Sequence, residues 1–359
     1  MVSLGEDLSA RLATHALLAA GVPAQFVDTR EIVRTDERFG RAHPENAEIA
    51  RLAEVHLLPL LAQGIVPVIQ GFVGATADGR TTTLGRGGSD YSAAILGAAI
   101  DADEVHIWTD VDGIMSGDPR AVDHPRILTE IGYEEAVELA YFGAKVVHPG
   151  AAKHAVALGV PLRIRNSFRP EARGTMILAD RRGTAEIAAV AHKPGTVLFK
   201  VSSLPSALPY GFLARVFGVL ARHALPVDLV ATSHSSTAFT IDRKEELGTV
   251  VEELSEFADV EVYEGLATVT VVGHGLMEEP GTDELVFWEV RRTPVYLISQ
   301  ASDVSLSFLV GEESAADLVR RLHTALVELP AEAESGARAP RGSAPSTTPA
   351  GARPAKAPR

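Results

Sequence analysis

The chain contains no cysteine, which excludes disulfides and thiolate metal sites outright. It has no run of about 18 or more apolar residues, so no membrane-spanning helix is expected. Its start shows no basic stretch leading into an apolar core and a small-residue cleavage site, so no export signal is expected and a cytoplasmic protein is. Positive charge is in deficit, with 33 Lys and Arg against 47 Asp and Glu and a formal charge of -14. Such a surface opposes non-specific binding to nucleic-acid backbones, so any anionic ligand has to be caught locally. Lysine is missing from the early part altogether, and the first one is Lys145. No His-x-x-x-His or His-Glu pair shares a helix face, so no protein-built metal site is expected.

At 359 residues and 46% hydrophobic content, the chain can hold two or three domains with their own cores. Its first 180 residues alternate helix and strand signals, the pattern of an α/β layer on a largely parallel sheet. Helices are expected over Ser9 to Ala20, with Leu8, Leu12, Ala16 and Ala19 on one face, then Glu45 to Ala62, Tyr91 to Ile100 and Gly132 to Phe142. Strands are expected at Ala24 to Val27, at Ile65 to Ile69 as a buried strand, at Glu104 to Trp108 and at Pro161 to Asn166. From about Ile187 the texture changes to short strands around amphipathic helices. The stretch Val197 to Ile241 is echoed by Thr268 to Val310, at an offset of about 70 residues that suits two successive β-α-β-β-α-β modules. Beyond Pro330, Ala, Pro, Arg, Ser and Gly dominate without periodicity, the composition of a disordered tail.

Four segments could carry chemistry. The run Thr81 to Asp90 (T-T-T-L-G-R-G-G-S-D) precedes a helix, so glycine-exposed amides and a helix N-terminus could cradle an anion, with Arg86 offering a planar fork to a carboxylate or phosphate. A tight turn with a solvated arginine is the alternative. After the strand ending at Trp108 come Thr109, Asp110, Asp112 and Gly113, then Gly117-Asp118-Pro119-Arg120, placed where open α/β sheets bind nucleotides. Asp112-Gly113 could also be only a turn. Lys145, in F-G-A-K-V-V-H-P, stands at the end of a helix beside a glycine, where a lone lysine commonly pairs with the helix dipole. Glu6, in L-G-E-D-L-S, complements a helix dipole or receives the amino group of a substrate, and spacing alone leaves both open.

In order along the chain, L-G-E-D-L-S, F-V-D-T-R-E, R-T-D-E-R-F-G, Q-G-F-V-G, G-R-T-T-T-L-G-R-G-G-S-D-Y, W-T-D-V-D-G-I, D-P-R, F-G-A-K-V-V-H-P, G-F-L-A-R-V-F-G-V-L and V-D-L-V-A-T-S resemble the aspartate kinases, most closely their lysine-regulated branch. The resemblance covers about residues 3 to 328. It implies an amino-acid-kinase-like α/β sandwich with a largely parallel central sheet over residues 1–180, tandem ferredoxin-like ACT regulatory domains over 187–329 and a tail over 330–359.

The resemblance also implies ATP-dependent phosphorylation of the β-carboxylate of L-aspartate, for lysine, threonine and methionine biosynthesis, with Mg²⁺ arriving on the nucleotide. Glu6, Arg86, Ser89 and Asp90 would hold aspartate, and Arg86, Asp90 and Lys145 would act in catalysis. Thr109, Asp110, Met115, Asp118, Arg120 and Lys145 would contact ATP. Gly211, Phe212, Leu213, Asp228, Thr232 and Ser233 match the effector site, while Ser206, Leu208, Pro209 and His234 depart from it, so an amino-acid effector is expected, with free lysine not bound at the family's typical strength. The family's N-terminal K-F-G-G loop has no counterpart here, so the chain is expected to be N-terminally truncated and a poor kinase alone. A non-catalytic paralogue or regulatory subunit that binds an amino acid is the alternative, with a glutamate kinase a third reading disfavoured by the paired ACT-like repeat. Association at least as a homodimer is expected, because ACT modules pair edge to edge.

Overall fold

The computed structural model describes residues 3–142, 158–179, 186–204, 210–242, 247–276 and 282–328. Lys145, Ser206, Leu208, Pro209 and the tail over 330–359 lie outside them.

Helix α1 (Ser3–Ala19) packs on the parallel pair β1 (Ala24–Val27) and β2 (Val66–Ile69). It does so through Ala10 and Thr14, which are buried one turn apart. Leu8 and Leu12, expected on its inner face, are instead 61% and 71% exposed. The small Ala10 and the Thr14 hydroxyl, which donates to the Ala10 carbonyl at 2.8 Å, let the backbone lie close to the strands, and this close fit overrides the leucine stripe. The helix expected from Glu45 to Ala62 is broken at Leu57 into α2 (Asn46–His56) and α3 (Leu58–Ala62). Pro59 at the head of α3 has no N–H to continue the ladder and starts a new turn instead. Strand β2 is only half-buried, with Val66 at 41% exposure.

A hairpin of β3 (Val73–Ala75) and β4 (Thr81–Thr83) leads into α4 (Gly88–Ala99). Strand β5 (Val105–Thr109) runs parallel to β7 (Leu162–Asn166), which pairs antiparallel with β8 (Thr175–Leu178), itself parallel to β6 (Glu130–Gly132). The parallel layer is thus divided among the described residues, with β1–β2 apart from β5–β7. Ile49, Ile95, Leu139, Leu162 and Ile164, all fully buried, fill the core between these strands, α2, α4 and α5 (Tyr133–Phe142).

The second half forms a six-stranded antiparallel sheet in the order β10-β11-β9-β12-β14-β13. Its elements run β9 (Glu186–Ser203), α6 (Phe212–Arg222), β10 (Val230–Thr232), β11 (Ser236–Asp242), α7 (Gly248–Ser255), β12 (Ala258–His274), α8 (Thr282–Val290), β13 (Val295–Ser302), β14 (Ser305–Gly311) and α9 (Glu312–His323). The repeat is real, since α6 and α8 begin 70 residues apart, but the modules are interleaved. Strands β9 and β12 each serve both. The latter part of β9, from Val197, pairs with β11 and the first part of β12 and shares a core with α6 and α7. The first part of β9 pairs instead with the second part of β12, Val190 opposite Val271, and Val190 enters the core of α8 and α9. The second module therefore draws its last strand from before the first module begins. Gly195 and Gly265, both at positive φ, lie where the two long strands pass between modules, next to a register shift, a backbone state that glycine adopts without a Cβ clash.

Candidate active site and regulatory face

The loop after β4 turns into α4 through Gly85 and Gly87, at φ 84° and 73°. A Cβ on Gly88 would stand 2.7 Å from the Phe72 ring, and one on Gly71 would stand 3.2 Å from Ser89 Cα. The backbones after β2 and before α4 are thus pressed together. The Ser92 hydroxyl links them, donating to the Gly88 carbonyl and accepting from the Phe72 N–H, both at 2.8 Å. At this junction lies an open cavity of about 320 Å³ lined by Glu6, Phe72 and Gly85 to Asp90. Glu6, Arg86, Ser89 and Asp90 therefore line one space, and the cavity sits at the amide-rich N-terminus of α4. Among the described residues Arg86 makes no ion pair or hydrogen bond, which leaves its fork open to a ligand.

Glu6 is held there by a network that reading the sequence missed. Gln70, 1% exposed, donates to Asp7 at 2.9 Å and to Asp28 at 2.8 Å, and its carbonyl accepts from the Thr29 N–H at 3.2 Å. Arg30 bridges the same carboxylates, at 3.1 Å from Asp7 and 2.8 Å from Asp28. Burial pushes the Asp28 carboxyl up, but the Arg30 hydrogen bonds and charge with the Gln70 hydrogen bond outweigh it and hold it below its ordinary value. The network pins the first turns of α1 to the carboxyl ends of β1 and β2 and so fixes Glu6 over the cavity. Its signal in the sequence was only the acidic-basic spacing in F-V-D-T-R-E.

The short connection 100–104 folds β5 back along α4, so the N-terminus of α4 and the carboxyl end of β5 share one edge of the layer. Thr109 ends β5, and its hydroxyl donates to Asp110 at 3.1 Å. Asp112 and Gly113 do form a tight bend, but not a bare one. Asp112 accepts from Asn166 at 2.7 Å and pairs with Arg169, and a Cβ on Gly113 would meet the Thr175 hydroxyl at 2.4 Å. Met115 bridges to Ile127. Asp118 accepts from the Arg120 guanidinium at 2.8 Å and from its N–H at 2.9 Å, and this partner holds the Asp118 carboxyl below its usual range. The nucleotide candidates Thr109, Asp110, Met115, Asp118 and Arg120 thus follow one strand end in a continuous loop.

The amino acid kinase family matches residues 1–166, and the ACT domain matches residues 269–326. Lysine-sensitive aspartokinase 3 of Escherichia coli K12 is 42% identical over 337 residues, covering 91% of this chain and 75% of its own. The chain belongs to the aspartokinase family. The crystal structure of E. coli aspartokinase III in complex with aspartate and ADP (R-state) matches at a TM-score of 0.76, over 90% of this chain and 74% of that one, at 42% identity. Its complex with lysine and aspartate (T-state) matches at 0.80, over 91% and 75%, at the same identity.

In this aspartokinase-family chain the effector candidates separate into two groups. Gly211, at φ 80°, precedes α6, whose Phe212 is buried against Phe257 in the first ACT core, while Leu213 is 37% exposed. Thr232 ends β10, and Ser233 turns the chain toward β11 by bonding to Ser236. These lie at the end of the module where β9 finishes, since Ser203 donates to Ser235. The Asp228 carboxylate faces elsewhere. It meets Lys193 Nζ at 2.8 Å and the Tyr141 hydroxyl of α5, at the contact between the kinase-side helix and the ACT sheet. Lys193 and Tyr141 carried no signal in the sequence that marked them.

Proposed function

We propose that this chain transfers the γ-phosphoryl group of ATP to the β-carboxylate of L-aspartate, under control of an amino-acid effector bound at its ACT modules. The observation that carries the reading is the cavity in which Glu6, Arg86, Ser89 and Asp90 share one space at a helix N-terminus. An α-amino acid has an ammonium and a carboxylate at one end. Glu6 receives the first and the Arg86 fork the second, with Ser89 and Asp90 completing the pocket and the side-chain carboxylate left facing the nucleotide loop. A β-carboxylate oxygen attacks the γ-phosphorus as the bond to the bridging oxygen of ADP breaks. No covalent enzyme intermediate is needed, so positioning and charge neutralisation carry the rate. Thr109, Asp110, Met115, Asp118 and Arg120 hold and orient ATP, and Lys145 adds positive charge. Mg²⁺ would enter on the nucleotide phosphates, as in kinase sites where the substrate supplies most of its oxygen ligands.

The E. coli relative described with aspartate, ADP and lysine supports the same substrates here and an amino acid as effector. Gly211, Leu213, Thr232 and Ser233 are assigned to that effector, with Phe212 through its backbone, whereas the Asp228 carboxylate is taken up by Lys193 and Tyr141 and is not assigned to it. The edge strand β10, exposed at all three residues, supports pairing of ACT modules in a homodimer. Use of ATP agrees with a cytoplasmic site of action. No helix among the described residues is long and apolar enough to cross a membrane.

The test is calorimetric titration of aspartate into the chain and its Arg86→Lys variant, alongside hydroxylamine trapping of aspartyl phosphate with MgATP. Loss of the bidentate fork should weaken aspartate binding by about 10- to 100-fold. Equal affinity in the two proteins, or preference for another amino acid, would overturn the assignment.

A further inference from the structure

His323, the last residue of α9, is wholly buried between the ACT core and the kinase domain. Its Nδ1 lies 2.9 Å from a Glu328 carboxylate oxygen, and its Nε2 lies 2.8 Å from the Ser116 hydroxyl. A carboxylate only accepts, so the ring carries a proton on Nδ1, while its Nε2 is hydrogen-bonded to the Ser116 hydroxyl. Ser116, also wholly buried, sits between Met115 and Asp118 in the nucleotide loop. Its hydroxyl accepts from the Arg126 N–H at 2.9 Å, and its carbonyl accepts from the Val190 N–H at 2.8 Å.

The same loop is packed as well as bonded by the second ACT module. Ala121 and Val122 belong to that module's hydrophobic cluster. A Cβ on Gly117 would stand 2.9 Å from Val122 and 3.1 Å from the His323 ring. The loop that carries Met115, Asp118 and Arg120 is therefore built on the second ACT module, and the buried imidazole is its polar pin.

We propose that His323 is a positioning residue for nucleotide binding, acting through Ser116, so that the second ACT module forms part of the nucleotide site and not only of the effector apparatus. This rests on the reading of residues 109–120 as the nucleotide loop. A buried hydroxyl deprived of this partner has no solvent to turn to. Ser116 then reorients, and the backbone two residues before Asp118 loses its fixed place.

The experiment titrates MgADP and, separately, aspartate into the full chain and into His323→Leu, Ser116→Ala, the double variant and Asp118→Asn. His323→Leu should weaken MgADP by roughly 10-fold, about the worth of one buried hydrogen bond left open, with aspartate affinity unchanged. Ser116→Ala, which also takes the acceptor from the Arg126 N–H, should weaken it at least as much, and the double variant should be no worse than Ser116→Ala, because the bond to His323 is already lost there. His323→Gln, whose amide can still hydrogen-bond at the Nε2 position, should recover most of the loss. If His323→Leu fails to fold, Ser116→Ala, which removes one oxygen, decides alone. Unchanged MgADP affinity in His323→Leu or Ser116→Ala while Asp118→Asn weakens it would overturn the inference and spare the nucleotide reading. Unchanged affinity in Asp118→Asn, or no MgADP binding by the unsubstituted chain, would overturn that reading itself.

Discussion

The Asp228 carboxylate, 2% exposed, lies 2.8 Å from the ammonium of Lys193. Lys193 also reaches Asp242 at 2.6 Å and stands 4.7 Å from the centroid of the Tyr141 ring, while the Tyr141 hydroxyl donates to Asp228. Tyr141 belongs to the last turn of α5, and the other three to the first ACT module and the bend in β9. One buried carboxylate thus ties kinase helix to regulatory sheet, and only because a cation accompanies it.

Replacing that cation should loosen the junction. Lys193→Met leaves Asp228 with the Tyr141 hydroxyl alone and should cost on the order of 2–3 kcal/mol, the worth of hydrogen bonds to a buried charge. Burial lowers the Lys193 pKa, but its bonds to Asp228 and Asp242 outweigh this and raise it above 10.5. Burial and then Asp228 push Tyr141 above its ordinary 10.0 as well. Both groups bind their protons more tightly folded than unfolded. Their stabilisation is complete below the unfolded values and is lost as pH rises through the folded ones. Melting temperature should therefore fall steeply above about pH 10 in the wild type and less steeply in Lys193→Met/Tyr141→Phe. Parallel curves would show that the cluster does not govern the alkaline limb.

The acid side has a separate control in the network under α1. Asp28 titrates below its ordinary 3.8 in the folded chain, so its stabilisation is present above that value and is lost as pH falls through the folded one. Arg30→Met removes the cation while burial remains, which should cost about 2 kcal/mol at pH 7. Urea unfolding should show a larger gap between wild type and variant at about pH 7 than at about pH 3. An equal gap at both would assign the loss to packing of the arginine stem.

Which features the sequence revealed follows from how local each one is. The Thr81 to Asp90 loop was legible because glycines, arginine and helix start lie within ten residues and dictate their own turn. The repeat was legible because each copy carries its own hydrophobic spacing. The α1 face was misread because Leu8 and Leu12 dominate any periodicity, whereas Ala10 and Thr14 decide how closely the helix can approach its strands. The links Gln70–Asp7, Lys193–Asp228 and His323–Ser116 join residues far apart in the chain, and nothing at either end announces the other. The lysine of F-G-A-K-V-V-H-P is placed by resemblance alone.

Gly88 offers a test of how tightly the cavity at the α4 N-terminus is built. An added Cβ would stand 2.7 Å from the Phe72 ring and 3.3 Å from Phe72 Cα and Leu84 Cβ. Phe72, itself at φ 69°, has little freedom to yield. Gly88→Ala should cost about 1–3 kcal/mol as an overpacked site and weaken aspartate binding by displacing the α4 N-terminus. Gly5→Ala provides the contrast. That glycine lies in α1 with nothing within 4 Å of an added Cβ, so stability should hold or rise by up to about 1 kcal/mol. Equal effects from the two, measured by chemical denaturation, would mean that the Phe72 contact imposes no constraint.

The interleaving of the ACT modules predicts that damage at one position in β9 appears far away in sequence. Val190 and Val201 occupy the same long strand and are both almost wholly buried. Val190 pairs with Val271 and packs in the core of α8 and α9, while Val201 pairs with Val260 and packs in the core of α6 and α7. Truncation of either to alanine should cost about 2 kcal/mol in lost burial and cavity. The loss should nevertheless fall on different cooperative units. Hydrogen exchange should quicken over 266–323 in Val190→Ala, including the Ser116 and Ala121 amides that rest on that module, with 197–263 nearly unchanged. Val201→Ala should show the reverse. Two modules laid end to end would place both strand segments in the first, and both substitutions would then loosen 197–263, so exchange confined there in Val190→Ala would contradict the shared-strand topology.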